Sequence, residues 1–205
     1  MAAVDEDPDG LVLLNKDAVV EATRYANSLK LHAPNDINTW VLNFDVAMKR
    51  GKWMLGLQAL YKGVNCSGGS SSPDVFERTV RFAQMLAKGA CPFETELLRG
   101  VAVELCDTLL SGVSAADFVR KTKGEKAGES LAWRCALARS AVVVGGDGAA
   151  AAKEIVDGGV DGVRGGHKVV VCVEVASCVK ELGGEALESA WKVLCRAKFP
   201  RATVF

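Results

Sequence analysis

The chain has 205 residues, 49% of them hydrophobic and 24% charged, which is the balance of a globular protein with room for one sizeable core or a short solenoid. Its 25 Lys and Arg equal its 25 Asp and Glu, and a formal net charge of zero argues against a generally basic surface that coats nucleic acid. No apolar stretch approaches the roughly 20 residues needed to span a bilayer. The N-terminus from Met1 to Asp7 is acidic, where a signal peptide starts basic and turns apolar, so a cytoplasmic location without membrane contact is expected.

Residues 1–14 read as an acidic segment expected to be poorly ordered, and 15–205 as a helical region. From Asp17 to Lys30, Ala18, Val19, Ala22, Tyr25, Ala26 and Leu29 share one helical side. Pro34-Asn35-Asp36 then supplies a stop and a cap. Between Asp36 and Arg50 the stripe Ile37, Trp40, Val41, Phe44, Ala47 and Met48 follows helical spacing. Lys49, Arg50 and Lys52 place positive charge at its far end, where it suits the helix dipole. Lys52 to Val64 carries Trp53, Leu57, Leu60, Tyr61 and Val64 on one face. A Gly/Ser-rich linker at about 66–72 is flexible by composition and leads into Ser72-Pro73-Asp74, a good helix opening.

Helices are predicted over Val75 to Ala87 and Phe93 to Leu110. Ser114 and Asp117 have the spacing of a capping box, although Asp is shorter than the usual Glu. Further helices are predicted at 127–144, 147–158, 167–182 and 185–198. Nine or ten short helices joined by short loops describe an all-α, helical-hairpin array of the tetratricopeptide-like or α-solenoid kind. Trp40, Gly51, Gly56, Leu60 and Gly63 form one degenerate tetratricopeptide-like unit, and no other segment repeats it convincingly.

Chemistry-bearing motifs are scarce. The seven cysteines are odd in number and have no C-x-x-C spacing, so they read as small core hydrophobes. His32 and His167 stand apart from any H-E-x-x-H pattern. No P-loop, nucleophile elbow or Q-x-x-G-x-G/A acetyl-CoA grip is present. No catalytic, cofactor-binding or metal-binding residue is therefore assigned. One segment points elsewhere: Gly146, Gly148 and Ala151 satisfy G-x-G-x-x-A after the run Ala141–Val144, and Val169 to Val175 could be a second strand bearing Glu174. That would suit a nucleotide-binding enzyme. The runs on both sides, however, extend to helix length and hold helix-forming Leu and Ala, so a glycine turn between two helices is the favoured expectation. The basic clusters Lys49, Arg50, Lys52 and Arg120, Lys121, Lys123 fit solvated helix ends. They also suit contact with ribosomal RNA phosphates, which needs no sequence-specific reading.

The residues themselves resemble a family. Leu31-His32-Ala33-Pro34-Asn35-Asp36-Ile37-Asn38-Thr39, Leu42-Asn43-Phe44-Asp45-Val46, Arg50-Gly51-Lys52-Trp53-Met54-Leu55 and Leu57-Gln58-Ala59-Leu60 follow in the order found in the C-terminal region of the auxiliary subunit of the N-terminal acetyltransferase NatA. Leu131-Ala132-Trp133-Arg134 and the ending from Trp191 to Phe205 resemble later helices of that region. The likeness is close over about residues 7–63, weak over 74–125 and looser over 129–205. It departs at Gly56 and Gly63, where the family usually has Ala, and at Gly145–Gly148, where the family tends to have a Leu-Asp-Pro turn.

The resemblance implies a non-catalytic helical scaffold that supports a catalytic acetyltransferase subunit at the ribosome during co-translational N-terminal acetylation. Acetyl-CoA would bind that catalytic partner, leaving this chain without a cofactor. Trp40, Phe44, Trp53, Leu57 and Leu60 are the structural or interaction candidates, and the two basic clusters the ribosome-facing ones. An unrelated helical-repeat interaction module and a nucleotide-binding enzyme using the Gly146/Gly148 turn are the alternatives.

Overall fold

A computed structural model describes residues 16–161, 163–164 and 168–205. The acidic segment 1–14 and His167 lie outside the described residues. Every regular element among the described residues is helical: α1 (Ala18–His32), α2 (Ile37–Lys49), α3 (Trp53–Asn65), a 3-10 turn (Gly69–Ser71), α4 (Pro73–Ala87), α5 (Glu96–Leu109), α6 (Ala115–Lys126), α7 (Leu131–Val143), α8 (Gly148–Gly158) and α9 (Val169–Lys198). This is the expected all-α class. The chain divides into two compact units, Met1–Ser70 and Ser71–Phe205.

Short polar side chains set the starts of most helices by accepting from backbone N–H groups that have no partner within the helix. Asp17 accepts from Val19 and Val20, Asp36 from Asn38, and Ser72 from Val75 ahead of Pro73. Thr95 caps α5 through Leu98, and Ser130 caps α7 through Trp133. These two caps move both helix starts inward from the predicted residues 93 and 127. Ser114 caps α6 through the Asp117 N–H, but the Asp117 carboxylate accepts from the Ser114 hydroxyl at 2.7 Å. The shorter acid thus completes the motif side chain to side chain.

In the first unit α1 packs on α2, and α2 on α3. Thr39 donates to the Ala33 carbonyl at 2.8 Å and the Trp40 indole to the Pro34 carbonyl at 2.8 Å, tying the α1–α2 turn to the helix that follows it. Asn43, which is buried, donates to the carbonyls of Ala26 and Thr39. At Gly56 a Cβ would stand 3.0 Å from Met48 Sδ and 3.6 Å from the Phe44 ring, so the small residue permits the close approach of α2 and α3 that the repeat pattern predicts.

In the second unit α7 is the shared wall. Its apolar residues surround the helix rather than forming one stripe, as in a helix with neighbours on several sides. Trp133, Ala136 and Leu137 join Phe76, Val80 and Val119 from α4 and α6, where the Phe76 and Trp133 rings lie 5.4 Å apart. Leu131, Cys135 and Ala138 instead face Ile155 of α8 and Cys172, Val175, Cys178, Val179, Trp191 and Cys195 of α9. Helix α9 is two helical arms meeting at Gly184, whose φ of 81° and ψ of −177° belong to a region open only to glycine. Gly184 is exposed, and a Cβ there would meet nothing within 4 Å.

The nucleotide-binding alternative fails on this geometry. Residues 131–143 and 169–175 are α-helix, so the glycines have no strand before them. Gly145 turns the chain with a φ of 103°. A Cβ on Gly146 would lie 2.8 Å from the Ala141 carbonyl oxygen, and one on Gly148 2.8 Å from that of Leu182. The glycines are needed because backbone crosses backbone closely at this corner.

Candidate partner-binding surface

The predicted interaction residues of the first unit are largely interior. Phe44 and Leu57 are fully buried and Leu60 nearly so. Trp40 and Trp53 are half-buried, and the polar edge of Trp40 is spent on Pro34. The side chains left outside in this unit are others: Leu31 is 75% exposed and Val20 62%, with Tyr25, Leu42, Leu55 and Tyr61 also exposed. Scattered apolar exposure of this kind is ordinary on a globular surface.

The basic clusters differ in their electrostatics. Lys49, Arg50 and Lys52 are exposed around the Gly51 turn, where φ is 65°. None of the three makes a side-chain ion pair among the described residues. Arg120 instead pairs with Asp117 at 2.8 Å, and Lys123 with Glu154 at 2.7 Å, leaving Lys121 as the unpaired member of its cluster among the described residues. An exposed pair is worth about 0–1 kcal/mol, so its cost as a binding site is small, but its net charge is partly neutralised. The first cluster offers more free positive charge. His32 is an exposed residue at the end of α1.

Two features of the second unit were not found from sequence. The first is a cleft of about 300 Å³ between α6, α7 and α8, walled by Leu137, Ala138, Ala141, Ala151 and Ile155, with Arg134 at its polar end. Arg134 donates from Nε to the Ala127 carbonyl at 3.3 Å and from Nη1 to the Gly159 carbonyl at 2.9 Å. One guanidinium thus serves the C-terminal ends of α6 and α8, where unpaired carbonyls and the helix dipole both favour positive charge. Burial works against that charge, and Glu154 supports it. Gly158 leaves the space, since a Cβ there would come within 2.6 Å of Arg134 Nη1.

The second is a cleft of about 410 Å³ between α4, α7 and α9, whose lining includes Glu77, Cys135, Arg139 and Glu174. Arg139 lies 3.6 Å from Glu77 and 3.2 Å from Glu181. Burial lifts the Glu77 carboxyl above its ordinary range, an effect that Arg139, Arg78 and Arg81 oppose only in part. Among the described residues no group of three or more His, Cys, Asp or Glu is arranged to hold a metal ion. No described helix is long and apolar enough to cross a membrane.

The arrangement defines an α-helical hairpin protein whose order lies in its packing. No family model matches the chain. Over 98% of its length it is similar to the N-terminal acetyltransferase A complex auxiliary subunit NAA15 of Arabidopsis thaliana, with 27% identity over 217 residues. The resemblance read from the motifs is thereby borne out. The chain spans only 24% of that relative, which is consistent with a likeness to one region such as its C-terminal part.

Proposed function

We propose that this chain is a non-catalytic scaffold element of an N-terminal acetyltransferase A complex, corresponding to the C-terminal region of its auxiliary subunit. The observation that carries the reading is the similarity to that subunit over nearly the whole chain. The all-helical hairpin packing supports it. In this reading a catalytic acetyltransferase subunit is the partner and binds acetyl-CoA. The complex works in the cytoplasm on nascent chains leaving the ribosome. Lys49, Arg50 and Lys52, exposed and unpaired among the described residues, supply phosphate contacts to ribosomal RNA.

A second reading, a helical-repeat interaction module outside this complex, draws on one observation. Phe44, Leu57 and Leu60, which carry much of the motif likeness, are packing residues that any such hairpin could use. Affinity purification of the tagged chain from its own cells, with bound proteins identified by mass spectrometry, separates the two. Enrichment of a catalytic acetyltransferase subunit is expected. Recovery of the folded chain with other partners and without such a subunit would favour the second reading.

A further inference from the structure

The second arm of α9, beyond Gly184, has one sealed face and one bare face. Trp191 and Cys195 are fully buried, and the Trp191 indole donates to the Cys172 carbonyl of the first arm at 2.9 Å. Leu187 packs on the same core. Glu188 is held between Lys180 at 3.5 Å and Lys192 at 2.7 Å. These contacts fix the rotation of the arm, and with it the side turned outward. There Ala186, Ala190, Val193, Leu194 and Ala197 recur every three or four residues, all of them exposed and Val193 by 60%. The exposed apolar residues thus form one helical stripe.

Charge marks the rim of the stripe. Glu185 and Arg196 lie on the same side of the arm, about three turns apart. The Glu185 side chain is 85% exposed, and its contact with Lys180 is 3.6 Å long. Arg196 is exposed, donates from Nε to the Phe205 carbonyl at 2.9 Å and makes no ion pair among the described residues. We propose that this face is a self-association surface, on which a second copy of the chain lays the same arm antiparallel about a two-fold axis. The inference goes beyond the acetyltransferase reading and does not depend on it.

The charges choose both the occupant and its direction. In the antiparallel pair Glu185 meets the partner's Arg196, and the two-fold axis makes the same contact a second time. In that register Val193 sits against the partner's Ala190, and Ala186 against the partner's Ala197, so a larger side chain faces a small one near the axis. A parallel pair would set Glu185 beside Glu185 and Arg196 beside Arg196, which like-charge repulsion opposes. With a formal net charge of zero, two copies also approach without long-range repulsion. An arm of this length is about 20 Å long and about 10–12 Å across. The contact therefore falls below the roughly 1,200 Å² of a stable complex, and the dimer is weak and reversible.

The test is sedimentation velocity of the full chain over a concentration series, with dithiothreitol present so that no disulfide joins the copies. The sedimentation coefficient should rise with concentration toward that of a dimer. Glu185→Arg alone and Arg196→Glu alone should each weaken association by about tenfold or more, because each sets like charges together twice. Both side chains are exposed, and unchanged circular dichroism checks that each variant keeps its helices. An equimolar mixture of the two variants should regain the association, since each then supplies the charge that the other lacks. A parent chain that stays monomeric at every concentration would overturn the proposal. So would association that both reversals leave intact, or folded variants whose mixture fails to recover it.

Discussion

Arg134 concentrates several roles in one side chain. Its guanidinium bonds two carbonyls at helix ends that no intrahelical donor reaches. Charged hydrogen bonds contribute about 1.5–3 kcal/mol each. Arg134→Met should therefore lower the stability of the 71–205 unit by about 2–4 kcal/mol in urea titration. Arg134→Lys should recover little of it, because one ammonium cannot match the planar fork. Glu77 makes the complementary case. Its folded pKa is raised from an ordinary value of 4.5 because burial outweighs the arginines around it. A raised carboxyl contributes stability that is complete below the unfolded value and lost as pH rises through the folded one. The stability of Glu77→Gln relative to the parent should therefore grow as pH rises above the ordinary value of 4.5, as read from melting curves over a pH series. A gap that stays flat would mean that Glu77 titrates normally.

At the scale of the helix, α7 is the element on which the second unit depends, since it faces one core with Trp133 and Leu137 and another with Leu131 and Cys135. Trp133→Ala should cost about 3–5 kcal/mol in chemical denaturation. Ser130→Ala, which removes only the cap, should cost about 1 kcal/mol. Where helices begin and end was legible wherever a cap met an amphipathic stripe, as at Asp36 and Ser72. It was misjudged at Thr95 and Ser130, because Phe93 and Ala127 continue the apolar spacing into loop. The two faces of α7 were not legible, because a helix that is apolar all round has no phase to read. Nor was the Arg139–Glu181 contact, whose partners lie 42 residues apart. Periodicity placed Phe44, Leu57 and Leu60 on the apolar stripes. It could not say which exposed residues a partner would touch, since exposure alone leaves no period in the sequence.

The whole chain corresponds to about a quarter of its relative, so its function is tested through assemblies. If the complex docks on the ribosome through Lys49, Arg50 and Lys52, replacing all three with Ala should weaken co-sedimentation with ribosomes. The salt dependence of that association should also become shallower, by about one unit of slope for each phosphate that is no longer neutralised. Replacing Lys121 alone, in the partly neutralised cluster, should have the smaller effect.

Gly184 separates two properties that usually travel together. It is exposed and a side chain there would touch nothing, yet the backbone angles at which the arms of α9 meet exclude every other residue. In a library of single substitutions this surface position should behave as a core position does, rejecting alanine as firmly as tryptophan. Tolerance there is governed by chirality and not by volume.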